Sequence, residues 1–150
     1  MPIRKPETMM MKNVYEMLDD IDAAPTKKLK MVALQNNLCK VLADVFMLTY
    51  HPGYQWLISE LPHTFQFSDI PPGMGYMQLS TELRKFYLFR RGDPGAAAIS
   101  EKRRQEILYL LLKSLEPREA EVVMGIFRKD LGVNGVDYNF IKGAFPNMLP

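Results

Sequence analysis

The stretch Asn37-Leu38-Cys39-Lys40-Val41-Leu42-Ala43-Asp44-Val45-Phe46-Met47-Leu48-Thr49-Tyr50 decides the fold class. Its apolar residues Leu38, Val41, Leu42, Val45, Phe46 and Leu48 keep the three- and four-residue spacing of a helix with one apolar face. His51-Pro52-Gly53 stops it. The same period runs outward in both directions. Before it stand Met10, Val14, Met17, Leu18 and Ile21, then a break at Ala23-Ala24-Pro25-Thr26. A second helix follows from about Thr26, with Leu29, Val32 and Ala33 inward and Lys27, Lys28 and Lys30 outward. After it, Tyr54 to Leu61 reads as a short helix ended by Pro62, and residues 62–77, rich in aromatics, prolines and glycines, as an ordered loop.

Helical spacing returns at Leu79, Leu83, Phe86 and Tyr87 and fails at Arg91-Gly92-Asp93-Pro94-Gly95. A long helix is predicted from about Ala96 to Leu115, carrying Ile99, Ile107, Leu108, Leu111 and Leu112. Glu116-Pro117 separates it from a helix bearing Ala120, Val123, Met124, Ile126 and Phe127. The turn Leu131-Gly132-Val133-Asn134-Gly135 leads to a last helix around Tyr138–Ala144. No strand alternation of useful length interrupts this series. The expected architecture is all-α, one compact domain of six to eight helices over residues 9–150, with residues 1–8 a flexible terminus.

Composition narrows the function classes. Among 150 residues, 47% are apolar and 24% charged, which is globular rather than disordered. No apolar run approaches the roughly 18 residues of a membrane span, and the first residues lack the apolar core of a signal peptide. A soluble intracellular domain without membrane partners is therefore expected. A single cysteine, Cys39, excludes an internal disulfide, and with only His51 and His63 beside it a structural zinc site is disfavoured. Asp19, Asp20 and Asp22 read as solvated acids at a helix end, so no metal or other cofactor is expected. Neither a nucleophile elbow nor a phosphate-binding glycine loop is present; Gly73-Met74-Gly75 is only a fragment of one. The histidines beside Pro52 and Pro62 are a poor catalytic supply. Trp56, Phe65, Phe67 and Tyr76 read as rings buried under a loop, with stacking on bases the alternative.

The net charge of +2 is uninformative, but its distribution is not. Residues 84–104 carry seven cations against Asp93 and Glu101, a net of +5. Such a segment is the footprint of a phosphate-backbone partner. Within it, Arg90 and Arg91 precede Gly92 and Gly95 in a turn that feeds a helix N-terminus. Free N–H groups, the positive end of the helix dipole and guanidinium forks would meet there. Lys85, Arg103 and Arg104 flank this cradle, and Asp93 either opposes it or caps the helix. Gly132, Asn134 and Gly135 form a second glycine turn, of the kind that lets a nucleic-acid backbone approach the peptide, with Lys142 on the helix that follows.

These residues resemble a known family. Val45-Phe46-Met47-Leu48-Thr49-Tyr50 with Gly53 and Tyr54, then Leu88-Phe89-Arg90-Arg91 with Gly95-Ala96-Ala97-Ala98-Ile99, and finally Phe127-Arg128-Lys129-Asp130-Leu131 with Gly135, Ile141, Phe145-Pro146 and Leu149-Pro150 look, in order, like the N-terminal DNA-binding domain of ATP-dependent DNA ligases. The T-even bacteriophage ligases are the most similar. One extra residue appears in the turn at 132–134. The resemblance implies an all-helical domain on the minor-groove side of double-stranded DNA, contacting mainly the sugar–phosphate backbone. It also implies a phage origin and the cytoplasm of an infected bacterial host. The family's adenylated Lys-x-Asp-Gly is absent: Lys129-Asp130-Leu131-Gly132 has leucine where aspartate should stand.

A non-catalytic, free-standing protein that binds the nucleic-acid backbone with little sequence specificity is the leading expectation. The initial Met of a full sequence favours it over an excised first domain of a longer ligase. Structured RNA, such as an mRNA, is an alternative ligand on the same fold, because backbone contacts at a minor groove suit A-form helices too. A module docking phage replication or shell proteins, without nucleic acid, is the remaining alternative. Incubated with ATP, magnesium and nicked DNA, the chain is expected to form neither a covalent adenylate nor a sealed product, as read by label transfer and a denaturing gel.

Overall fold

A computed structural model describes residues 12–58, 61 and 78–150. Among these it has eight α-helices and one 3₁₀ helix: α1 (Val14–Ala23), α2 (Lys27–Asn37), α3 (Lys40–Tyr50), α4 (Leu79–Glu82), the 3₁₀ helix η1 (Leu83–Phe89), α5 (Pro94–Ala97), α6 (Glu101–Ser114), α7 (Pro117–Arg128) and α8 (Tyr138–Ala144). The only β pairing among the described residues is an isolated bridge, so the fold is all-α. No helix among them is long and apolar enough to cross a membrane. The expected flexible terminus and the loop at 62–77, with Phe65, Phe67, Gly73, Gly75, Tyr76 and His63, lie outside the described residues.

α7 is the axis of the molecule. Residues Val122 to Phe127 are all buried, and the helix packs against α1, α3 and α6. Its neighbours present the apolar faces their spacing predicts: Val14, Met17, Leu18 and Ile21 on α1, Leu42, Val45 and Phe46 on α3, Leu108, Leu111 and Leu112 on α6. The ends follow capping chemistry. Thr26 accepts from the Leu29 N–H at 3.2 Å, Ser100 from Arg103 at 3.0 Å and Asp137 from Phe140 at 2.9 Å.

In α2, Lys27 and Lys28 are exposed and Ala33 packs on the core as expected, but three positions are exchanged. Leu29 and Val32 are each 47% exposed, whereas Lys30 is buried. The Lys30 ammonium donates to Ile21 O at 3.2 Å and Asp22 O at 3.1 Å, so it satisfies carbonyls at the C-terminus of α1. Periodicity alone could not show that one lysine has acceptors inside.

Residues 54–58 are extended, not helical. Leu57 N–H donates to Phe89 O at 2.6 Å and Arg91 N–H to Gln55 O at 2.7 Å, around the antiparallel bridge Trp56–Arg90. Long-range pairing and aromatic packing override the local preference here. Trp56 and Phe86 each lie 5.2 Å from the Phe127 ring, and Phe89 lies at the same distance.

The segment after α4 tightens into η1 because its apolar residues Leu83, Phe86 and Phe89 repeat every three, which places them on one side of a 3₁₀ turn. Tyr87, expected inward, is 49% exposed as a result. The expected helix from Ala96 is two helices. α5 ends at Ala97, and Ser100 caps a new helix at Glu101.

Two carboxyl groups are buried at the start of α7. Glu116 caps it, accepting from the N–H groups of Arg118 at 3.0 Å and Glu119 at 3.3 Å. Glu119 is 6% exposed. Burial pushes its carboxyl up to about 7, with the Leu79 N–H opposing and the Glu116 charge adding. The folded value lies above the ordinary 4.5. The folded chain therefore binds the extra proton across that window, and the associated stability is full below pH 4.5 and lost as pH rises through about 7. A loss on the order of 3 kcal/mol is expected from urea unfolding across this range, and Glu119→Gln should flatten the pH dependence.

Candidate nucleic-acid interface

The basic segment is exposed along its length: Arg84 and Lys85 on η1, Arg91 in the turn after it, and Lys102 and Arg103 at the start of α6 all reach solvent. Lys85 pairs with Glu82 at 3.2 Å and Arg103 with Glu106 at 3.5 Å. Arg84, Arg91 and Lys102 have no partner among the described residues. Exposed ion pairs are worth little and can be traded for a phosphate, so all five cations are available to an anionic surface.

The turn is built differently from a phosphate cradle. Asp93 is the N-cap of α5 and accepts from the Gly95 N–H at 2.8 Å. α5 is a single turn, with a correspondingly small dipole, and the long helix begins only at Ser100. Gly92 has φ +89°, a left-handed geometry that suits glycine. Gly95 is required for another reason: a Cβ there would lie 2.5 Å from the Tyr87 ring. Its role is to let that ring lie against α5.

Of the two remaining arginines of the predicted set, Arg104 acts inside the structure and Arg90 at the edge of a cleft. Arg104 is 9% exposed, and its guanidinium donates to Leu88 O at 3.2 Å, Ala96 O at 2.7 Å and Ile99 O at 3.3 Å. It joins η1, α5 and α6 and has no phosphate role in this geometry. Arg90 is half-buried, donates to Gly53 O at 3.3 Å and holds its guanidinium 4.2 Å over the Tyr54 ring. Tyr54 in turn stacks on Trp56 with ring centres 5.9 Å apart. Tyr54, Trp56, Tyr87, Arg84 and Arg90 thus line an open cleft of about 210 Å³ beside the basic face. Base stacking on Trp56 was the minor alternative in the sequence, where no signal placed Tyr54 or Tyr87 beside it. The Trp56 indole N–H is buried without an acceptor among the described residues.

The second glycine turn is elsewhere, against the ends of α1 and α2. Gly132 and Gly135 have φ of +74° and +79°. The Gly132 N–H donates to the Asp130 carboxylate at 2.9 Å and the Asn134 N–H to Asp22 at 2.8 Å. A Cβ on Gly135 would come within 3.2 Å of the buried Lys30 stem. Asp19, Asp22 and Glu121 line the cleft beside Gly132, with Arg118 bound to Asp19 at 2.7 Å. Carboxylates therefore occupy two of the N–H groups that the sequence suggested for a phosphate. Lys142 is exposed on α8 and reaches Leu149 O at 3.4 Å. The three aspartates at the end of α1 all have partners, Asp20 binding Lys12 and Asn37, and no cluster able to hold a metal occurs among the described residues. His51 accepts from the Gly53 N–H at 2.9 Å, and half-buried Cys39 lies against Met17.

Residues 17–133 match the model of a family of unknown function, DUF6433, and the chain belongs to that family. No curated protein matches it.

Removing the Arg104 side chain separates structure from binding. Arg104→Met leaves three carbonyls without their charged donor and is expected to cost about 3 kcal/mol in chemical denaturation. The salt dependence of nucleic-acid binding should not change in the folded variant.

Proposed function

We propose that this chain is a non-catalytic nucleic-acid-binding protein that contacts the sugar–phosphate backbone with little sequence specificity. The observation that carries this reading is the exposed basic segment of η1, the turn after it and α6, where Lys85 and Arg103 each pair with one acid and Arg84, Arg91 and Lys102 have no partner among the described residues. Cations spread over consecutive elements match a line of phosphates better than a single small anion, and phosphate contacts carry no base information. The resemblance to the ligase DNA-binding domain supports the same assignment and suggests duplex DNA, with structured RNA as the second ligand. It also suggests a phage protein working in the cytoplasm of its bacterial host. A non-catalytic role is supported by how the reactive groups are engaged: His51 and Cys39 in local contacts, and the Lys129 ammonium by three carbonyls.

The test is a salt titration of binding to duplex DNA and duplex RNA of mixed sequence. Replacing Arg84, Arg91 and Lys102 together by Gln is expected to leave the melting temperature nearly unchanged. The slope of log affinity against log salt should fall by roughly 0.9 for each lost contact to B-form DNA. Equal affinity and slope in the folded triple variant would move the binding face elsewhere, and the absence of binding by the native chain would favour the protein-interaction alternative.

A further inference from the structure

The cleft beside the basic face has features that backbone binding does not use. Tyr87 is half exposed and lies against α5. The missing side chain of Gly95 lets its ring settle against α5, within a distance no Cβ would permit. A large aromatic ring at the surface offers contact area with only two rotatable side-chain bonds to order. On the other side, the Arg90 guanidinium lies over the Tyr54 ring, and Tyr54 stacks on Trp56. The described residues lining the cleft include two arginines and no carboxylate. The cleft next to Gly132 is the opposite, with three acids around one arginine.

We infer that the Tyr54–Trp56–Tyr87 cleft receives an unpaired base of a single-stranded nucleic acid, with Arg84 and Arg90 serving the adjoining phosphates. This rests on the nucleic-acid reading above and adds to it the form of the ligand. At about 210 Å³ the cleft is smaller than the ~300–1,000 Å³ typical of enclosed small-molecule sites, and it is open. That geometry suits one planar ring carried on a polymer that continues across the neighbouring cations. Aromatic faces accept any base, because every base has a π face, whereas the bases of an intact duplex are stacked on each other and cannot enter. Two arginines, with no acid among the described lining residues, disfavour a basic peptide as occupant and provide for the negative charge that follows each base along the strand.

The chain has one tryptophan, and it lines the cleft, so its fluorescence reports occupancy directly. The native chain is titrated with a mixed-sequence single strand, as DNA and as RNA, and with the matching duplex. The expected result is quenching of Trp56 by a single strand of either sugar, and little by the duplex. Tyr87→Leu keeps an apolar contact with Gly95 but removes the π face. It should weaken single-strand binding roughly 5- to 100-fold while leaving duplex affinity unchanged, and Tyr87→Phe should restore it. Single-strand binding that neither quenches Trp56 nor responds to Tyr87→Leu overturns the inference while leaving the basic face intact. A native chain that binds neither form overturns both. The quenching comparison uses the native chain, so it decides the matter even if Tyr87→Leu does not fold.

Discussion

The Lys129 ammonium is the point on which the arrangement of the helices turns. It sits at the end of α7 in the left-handed conformation, φ +66°, a geometry uncommon for a residue with a side chain. From there it donates to Leu48 O at 3.2 Å, His51 O at 3.0 Å and Tyr54 O at 2.9 Å. Two of these carbonyls belong to the C-terminal end of α3, where the helix has no partners of its own for them. The third belongs to the extended segment after it. Burial pushes the amine down to about 8, so it is still charged at neutral pH, and three carbonyl dipoles surround it.

One ammonium thus ties the end of α7, the end of α3 and the start of residues 54–58 together. Two residues before it, Phe127 anchors the aromatic cluster of Trp56, Phe86 and Phe89. The extended segment is therefore held at its start by charge and along its length by rings. It pairs with Phe89 and Arg91 and sets the position of η1 and the basic turn. Arg104 does the equivalent on the other side, clamping η1, α5 and α6 through three more carbonyls. One half-buried and one buried cation consequently support a surface that leaves five others exposed.

Charge is sorted between the two glycine turns. The turn at 90–95 lies among cations, and the turn at 131–135 lies among Asp19, Asp22, Asp130 and Glu121. Both contain glycines with positive φ, and both join helices, so local sequence makes them look alike. What distinguishes them is which distant residues each packs against. The same holds for the lysines and arginines: Lys30, Arg104 and Lys129 bind backbone carbonyls, while Arg84, Arg91 and Lys102 have no such partner among the described residues.

The helical character of α1, α3, α6, α7 and α8 and most of their buried faces were legible from spacing, because an amphipathic helix is specified by residues a few positions apart. The net positive charge of residues 84–104 was legible for the same local reason. Three things were not. The extended course of residues 54–58 depends on a partner more than thirty residues away, the burial of Lys30 in α2 depends on carbonyls of α1, and the cleft depends on Tyr54, Trp56 and Tyr87 meeting across that pairing. Sequence by itself determined where helices form and where cations concentrate. Tertiary structure alone decided which cations are buried and which aromatic rings share a cleft, because a buried charge is tolerated only where distant backbone oxygens converge on it.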